Sequence, residues 1–218
     1  LYWDITTKKY WQPMLDELGM TEDNFPEILE PGEVVGTVLP EMAQKLGINP
    51  AAKVCTGAMD NAIGAVGVGA CRPGMFSESI GSTLAVCVPT DKIVYDPNRQ
   101  MPVHYYPIKD TYMMHTFTSG GICLRWFRDN FCQYEMTCAD MTGDDSYDLL
   151  TKQAMQPPPG AEGLSFLPHL SGSLAPDINP HATGVFMGIT MVHKKGHFIR
   201  AIMESLGYLV RRNMDALA

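Results

Sequence analysis

The sequence predicts an α/β fold, and three observations lead to this prediction. Residues 198–217 carry apolar side chains on one helical face, which is typical of an amphipathic helix packed on a core. Between residues 75 and 117 the apolar residues recur instead with a period of two, the spacing of β-strands. A short apolar run over 53–57 is followed at once by a helix-like stretch over 61–70. Both kinds of element therefore occur in one chain.

Composition and charge limit the classes of protein to which the chain can belong. It has 218 residues, of which 45% are hydrophobic and 18% charged, enough to bury a sizeable core and too apolar for a disordered chain. No run of about 18 apolar residues occurs, and the N-terminus lacks the layout of a signal peptide, so we expect a cytoplasmic protein without a membrane partner. The formal net charge of -8 argues against a nucleic-acid partner, which needs a clustered basic face. Any bound phosphate is then expected to be held by backbone N–H groups.

The elements before residue 70 follow from helix and strand signals. They are a helix over 6–18 that Pro13 kinks or divides and Gly19 ends, a strand over 33–38, a helix opened by Pro40 and closed by Gly47, and a strand over 53–57. The stretch over 61–70 contains Gly64, Gly67 and Gly69, each of which costs a helix roughly 0.8–1 kcal/mol relative to Ala. We therefore expect a ligand or a tightly packed sheet to approach this backbone closely.

The rest of the chain is predicted to form an antiparallel meander followed by helices and two further strands. The meander has strands over 75–80, 84–88, 104–106 and 111–117. The later elements are a helix over 122–131, a polar interval over 142–147, a helix over 148–155, strands over 164–167 and 184–189 separated by a loop, and the helix over 198–217.

The cysteines and histidines do not indicate a metal site. We expect the six cysteines to be reduced packing residues, because most lie in apolar runs and no two have C-x-x-C spacing. His193 and His197 have helical ligand spacing, but the residues between them, Lys194 to Gly196, suit an exposed turn. No metal ligand is therefore assigned.

Asp60 is the strongest candidate for chemistry. It follows an apolar strand and immediately precedes the helix-like stretch, and ligands of α/β sheets bind beyond the carboxyl ends of strands. A carboxylate there could accept the proton of an alcohol that becomes a nucleophile. An N-cap aspartate is the alternative, and position alone favours the cap.

Two glycine-containing segments are candidates for anion binding. Gly81-Ser82-Thr83 lies between two predicted strands, where a tight turn can point N–H and O–H donors at an anion. Ser119-Gly120-Gly121 precedes a predicted helix, and helix N-termini also favour anions. Taken separately, an ordinary hairpin could have the same sequence as the first segment, and an ordinary helix start is the more frequent explanation of the second.

Together, in this order and at these spacings, these segments resemble the FGGY family of carbohydrate kinases. The matching segments are 57–69, which contains Asp60, then 79–83, then Gly121 with 124–129, and further on 168–172, 182–186 and 200–211. The resemblance extends over nearly the whole chain.

The resemblance implies an actin-like, ribonuclease H-like fold and a kinase that transfers the γ-phosphoryl group of ATP, with Mg²⁺, to a sugar hydroxyl. It implies that Asp60 is the catalytic base and that Asn61 helps to hold the sugar. Gly81, Ser82, Thr83 and Gly121 would contact the ATP phosphates. The chain looks xylulokinase-like, so the expected substrate is a pentulose such as xylulose. Gly-Ser-Thr stands where that branch usually has Gly-Thr-Ser, which keeps both hydroxyls.

The resemblance also implies a partial chain. Residues 1–70 resemble the end of the family's first, sugar-binding domain, and 71–218 the first part of its second, nucleotide-binding domain. Leu1 has no Met before it and opens an apolar segment, which suggests a fragment, expected to be inactive alone. A glycerol or polyol kinase of the same family and a catalytically silent actin-like binding module are the alternatives. A homodimer is compatible with each of these interpretations.

Overall fold

The computed structural model of the chain describes residues 2–218, which fall into two units. Unit 1 holds the residues up to Met75 with Val88–Tyr95 and Val103–Met114, and unit 2 holds Phe76–Cys87, Asp96–Pro102 and His115–Ala218. The prediction made for Leu1 lies outside the described residues. The predicted division after residue 70 stays a prediction.

Unit 1 begins with short elements joined by tight turns. These are β1 (Trp3–Asp4), β2 (Lys9–Tyr10), α1 (Gln12–Glu17), a 3₁₀ turn (Glu22–Asn24), β3 (Val34–Thr37), α2 (Pro40–Leu46), β4 (Lys53–Cys55) and α3 (Asp60–Gly67). β1 pairs with β2 and β3 with β4, both antiparallel. The predictions for β3, α2 and β4 are confirmed, and Gly47 ends α2 in the left-handed conformation, with φ 66°.

The predicted helix over 6–18 is wrong in its first half. β1 and β2 pair Trp3 with Tyr10, and the helix begins only at Gln12. Pro13 lies in the first turn, where proline is well tolerated because the first helical N–H groups have no partner within the helix. Pro13 therefore lies at the start of α1, whereas the sequence suggested that it kinks or divides a longer helix.

The expected close approach to α3 is absent within residues 2–218. No atom lies within 4 Å of a Cβ built on Gly64, Gly67 or Gly69. Ala62 and Ala65 form the buried face of this helix instead. The glycines lie away from that face, so packing inside the described chain does not explain them.

A four-stranded sheet follows, and its strand order corrects the predicted meander. Its strands are β5 (Ser77–Ile80), β6 (Thr83–Thr90), β7 (Val103–Tyr105) and β8 (Tyr112–Ser119), in the order β5-β6-β8-β7. β6 is buried from Leu84 to Pro89, as is typical of a strand covered on both faces, and β8 lies beside it. The long connection between β6 and β7 allows β7 to lie on the far side of β8.

The rest of unit 2 packs around one long helix. Its elements are α4 (Ile122–Phe131), α5 (Gln133–Thr142), α6 (Ser146–Ala154), a 3₁₀ turn (Ala161–Gly163), β9 (Ser165–Leu167), β10 (Val185–Met187) and α7 (Lys195–Leu217). α5 was not predicted, because residues 133–142 lack a continuous apolar face. α6 begins two residues earlier than predicted, since the Asp145 carboxylate accepts a hydrogen bond from Tyr147 N–H as an N-cap.

The core of unit 2 is apolar and aromatic. Phe166 and Phe186 pack with ring centroids 4.4 Å apart, and Phe198 of α7 lies 5.1 Å from Phe186. Ile199 and Ile202 of α7 are fully buried in the same cluster. No helix among residues 2–218 combines the length and apolar character needed to cross a membrane.

All six cysteines are free thiols, but not all are packing residues. Cys87, Cys123 and Cys132 are buried, and burial raises the pKa of Cys87 and Cys123 to about 11. Cys55 and Cys71 are exposed, so the packing prediction is wrong for these two.

Candidate active site

Asp60 is the first residue of α3 and follows the end of β4 after the short segment 56–59. Met59 occupies the N-cap position and makes no side-chain cap, so the N-cap interpretation of Asp60 is wrong. One Asp60 oxygen instead accepts from the Asn61 N–H at 2.7 Å, and the residue is exposed. Its other oxygen accepts no hydrogen bond within residues 2–218.

Thr56 fixes the chain between β4 and Asp60. Its hydroxyl donates to the Glu30 carbonyl at 2.6 Å and accepts from the Glu33 N–H at 3.0 Å. Its backbone N–H donates to the Glu33 carbonyl at 2.9 Å. The short segment that follows therefore starts from an anchored point. Asn61, the predicted sugar-binding residue, is half-buried beside Asp60.

Gly81-Ser82-Thr83 forms the tip of the β5-β6 hairpin, which we call the phosphate turn. Ile80 pairs with Leu84 across its base, and all three residues of the turn are exposed. The Ser82 and Thr83 hydroxyls make no hydrogen bond within residues 2–218, so both are available to a ligand. The Gly81 N–H donates to the Thr83 carbonyl at 2.8 Å and is not available.

The structure brings Gly121 together with the phosphate turn within unit 2. The Gly121 N–H donates to the Gly81 carbonyl at 2.8 Å, and the N–H groups of Gly120 and Ile122 donate to the Ser82 carbonyl at 3.1 and 3.3 Å. A Cβ on Gly120 would lie 2.5 Å from the Thr83 carbonyl carbon, and one on Gly121 would lie 2.8 Å from the Gly81 oxygen. Only glycine permits this approach.

The phosphate turn fits an anionic ligand such as the phosphates of ATP. Exposed hydroxyls at a tight turn can donate hydrogen bonds to phosphate oxygens. No atom lies within 4 Å of a Cβ built on Gly81. The turn is therefore open on that side. Within residues 2–218 no group of three or more His, Cys, Asp or Glu side chains is placed to hold a metal ion.

The histidine pair makes contacts other than metal ligation. His197 Nε2 lies 2.9 Å from a Glu162 carboxylate oxygen, and His193 Nδ1 accepts from the Thr190 N–H at 2.9 Å. The prediction of an exposed turn between them is wrong in part, because α7 already begins at Lys195 and His197 is buried. These histidines hold the loop before α7.

A cavity of about 370 Å³ in unit 2 was missed by the sequence analysis. It lies between α7, β9 and the loop that follows β9. Asn213, on its wall, is fully buried, and its amide nitrogen lies 3.4 Å from the Thr118 hydroxyl. The Asn213 carbonyl oxygen has no partner within residues 2–218. One sequence feature could have indicated this cavity: the polar residue Asn213 lies on the buried face of α7, between Leu209 and Leu217 at helical spacing.

The comparisons with known proteins assign the class of protein. The chain belongs to the FGGY family of carbohydrate kinases: residues 1–67 match the N-terminal domain of that family and residues 79–218 its C-terminal domain. These kinases have the actin-like ATPase fold, so the fold prediction is confirmed.

Two curated relatives and one solved structure illustrate the match. Gluconokinase of Bacillus subtilis (strain 168) is 36% identical over 190 residues, which are 87% of this chain and 37% of the relative. Xylulose kinase of Escherichia coli (strain K12) is 29% identical over 218 residues, 100% of this chain and 43% of the relative. The crystal structure of ligand-bound xylulose kinase from Lactobacillus acidophilus superposes with a TM-score of 0.81 at 27% identity, covering 99% of this chain and 42% of that one. The chain thus spans about two fifths of the length of these relatives.

Proposed function

We propose that the protein phosphorylates a sugar hydroxyl with ATP as the phosphoryl donor. The observation that carries the proposal is Asp60: an exposed carboxylate at the first position of α3, just beyond a strand end, with one oxygen free of hydrogen bonds within residues 2–218. The resemblance to FGGY kinases gives this position the role of catalytic base. A carboxylate with that role needs such accessibility.

In the proposed reaction Asp60 takes the proton of the acceptor hydroxyl. The hydroxyl oxygen forms a bond to the γ-phosphorus as the bond to the leaving ADP oxygen breaks, and Asp60 carries the released proton. Asn61 holds the sugar. Asp60 lies in the first turn of α3, so the helix fixes the position of the carboxylate relative to the acceptor hydroxyl.

The phosphate turn, Gly81-Ser82-Thr83 with Gly121 behind it, is proposed to hold the ATP phosphates. The exposed hydroxyls of Ser82 and Thr83 and the N–H of Ser82 stabilise phosphate charge without a lysine. Mg²⁺, bound with ATP, would neutralise charge on the phosphate oxygens. In this proposal residues 1–70 belong to a sugar-binding domain and 71–218 to a nucleotide-binding domain.

Two substrate classes are proposed for the acceptor. The sequence motifs favour a pentulose such as D-xylulose, and xylulose kinases match nearly the whole chain. The 36% identity to a gluconokinase favours a sugar acid, D-gluconate, as the second candidate. Both classes present a hydroxyl of similar acidity, so the same base serves either.

The test is a panel of acceptors with the full-length protein. We expect ADP release from ATP and Mg²⁺ to depend on D-xylulose or D-gluconate, with kcat/KM for the preferred sugar at least tenfold above that for glycerol. Preference for glycerol would favour the polyol kinase alternative. No acceptor-dependent turnover with any of the three would contradict the proposal and favour a silent binding module.

A further inference from the structure

We infer that the cavity of unit 2 is a ligand site for a small, neutral molecule that has an aromatic ring and one hydrogen-bond donor, as phenol has. The cavity has a volume of about 370 Å³, and all the residues that line it belong to unit 2. No residue that the proposed function assigns to the sugar or to ATP lines it. The inference is therefore independent of the proposed kinase activity.

The inner wall of the cavity has an acceptor without a partner. Asn213 is fully buried, and its amide oxygen accepts no hydrogen bond within residues 2–218. The Thr118 hydroxyl donates to the Leu84 carbonyl at 3.4 Å, so its oxygen accepts from the Asn213 amide nitrogen, also at 3.4 Å. This arrangement places the amide nitrogen toward Thr118 and leaves the amide oxygen for another donor.

The other buried hydroxyl of the wall does not supply that donor. Ser205 lines the same cavity, but its hydroxyl donates to the Ile202 carbonyl at 2.7 Å. A buried acceptor without a donor has lost its hydrogen bonds to water and has gained none in exchange. A ligand O–H or N–H group that reaches the Asn213 oxygen therefore removes a cost that the free protein carries.

The charged residues at the cavity favour a neutral ligand. Among the residues that line it, Arg212 carries a guanidinium group and Asp177 a carboxylate, and these two groups pair with each other. The Arg212 Nε donates to an Asp177 carboxylate oxygen at 2.7 Å. A charged ligand would have to compete with this charge-assisted hydrogen bond, whereas a neutral ligand leaves it in place.

Flat apolar side chains and the size of the cavity favour an aromatic ring. Phe166 and Leu209 are buried in the wall, and the rings of Pro168 and Pro176 also line the cavity. Aromatic rings pack well on such surfaces. Because a cavity of about 150 Å³ holds benzene, about 370 Å³ is enough for a molecule of one or two rings and for accompanying water.

The first experiment compares phenol with toluene, which has nearly the same shape and lacks the hydroxyl donor. The Kd of each is measured by calorimetry with the full-length protein, for the wild type and for Asn213→Leu. Leucine branches at the same carbon as asparagine and removes the acceptor. We expect saturable binding of phenol to the wild type. The ratio of the toluene Kd to the phenol Kd should fall by about tenfold in Asn213→Leu.

Asn130→Leu is the matched control. Asn130 is exposed on α4, where its amide nitrogen donates to the Trp126 carbonyl at 2.8 Å, so the same substitution lies outside the cavity. The control should keep the wild-type ratio. An equal ratio for wild type and Asn213→Leu overturns the inference, and so does the absence of saturable phenol binding by the wild type, since the cavity would then hold water only.

Methyl NMR of the wild-type protein tests the site without a variant, in case Asn213→Leu does not fold. We expect phenol to shift the methyl resonances of Leu209, which lines the cavity, and not those of Leu46, which is exposed on α2 in unit 1. Saturating ATP should leave the phenol Kd nearly unchanged. Unshifted Leu209 resonances, or competition between ATP and phenol, would overturn the inference of a separate ligand site.

Discussion

At the scale of single residues, Ser82 is the most direct probe of the phosphate turn. Its hydroxyl is exposed and makes no hydrogen bond within residues 2–218, so its loss removes no contact inside the chain. A charge-assisted hydrogen bond to phosphate contributes about 1–3 kcal/mol. We expect Ser82→Ala to lower kcat/KM for ATP by roughly 5- to 150-fold, measured by steady-state kinetics, with an unchanged melting temperature.

Ser146→Ala is the control for this prediction. Ser146 opens α6 in the same unit, and the N-cap of that helix is Asp145, so the hydroxyl has no assigned task. Its variant should keep wild-type ATP kinetics. Unchanged kinetics for Ser82→Ala as well would make the turn an ordinary hairpin.

Asp60 shows what the sequence could and could not predict about the site. A strand, a short turn, an aspartate and a helix can be recognised from local patterns, and all four occur where predicted. Whether Asp60 is an N-cap or a free carboxylate depends on the exact residue at which α3 begins: Met59 is the N-cap and Asp60 is the first helical residue. Sequence patterns do not fix a helix boundary to a single residue, so the sequence favoured the wrong alternative.

At the scale of elements, a buried carboxylate joins three helices of unit 2. Glu135 of α5 accepts from Gln153 of α6 at 2.7 Å and from Lys195 of α7 at 2.9 and 3.1 Å. Burial opposes ionisation of Glu135, but the hydrogen bonds from Gln153 and Lys195 outweigh it and hold its pKa below the ordinary value. Glu135 is 4% exposed, so the charged pair tethers α5 to its neighbours.

Replacing Glu135 with Gln should destabilise the protein and change its response to acid. We expect Glu135→Gln to lower the free energy of unfolding by about 1–3 kcal/mol at pH 7, measured by urea denaturation. A carboxyl with a lowered folded pKa stabilises above its unfolded pKa, near 4.3, and loses this contribution as the pH falls through the folded value. Wild type should therefore lose more stability than the variant below about pH 4.5.

Asp215→Asn is the control for Glu135→Gln. Asp215 pairs with Arg211 on the surface of α7, with side chains 60% and 78% exposed. Removing this exposed pair should lower the free energy of unfolding much less than Glu135→Gln does, because solvent screens the interaction. An equal cost for the two variants, or parallel acid profiles for wild type and Glu135→Gln, would contradict the role of Glu135.

The elements differ in how far the sequence predicts them. Pro40 and Gly47 bound α2 by local rules, and the hairpin around Gly81 follows from its period of two. α5 was missed because its place depends on Glu135 meeting Lys195, 60 residues away, and not on an apolar face. The order β5-β6-β8-β7 likewise depends on pairings between distant segments. The hydrogen bonds from Gly120, Gly121 and Ile122 to the phosphate turn also join segments that are distant in sequence.

At the scale of the whole molecule, the chain runs between its two units several times. Val88–Tyr95 and Val103–Met114 belong to unit 1, although Phe76–Cys87 and most of the later chain belong to unit 2. β6 and β8 each continue from one unit into the other along the chain. Asp60 lies in unit 1 and the phosphate turn in unit 2.

The turnover of Asp60→Asn in the full-length protein tests the central claim most directly. Because Met59 is the N-cap and Asp60, within residues 2–218, bonds only its neighbour's N–H, the amide should leave the melting temperature and ATP affinity nearly unchanged. Loss of a general base should lower kcat for sugar phosphorylation by about 10²- to 10⁴-fold. Glu41→Gln, the same change at an exposed first-turn carboxylate of α2, should keep wild-type kcat. A kcat of Asp60→Asn close to that of Glu41→Gln would contradict the account, because the proposed reaction would then proceed without its base.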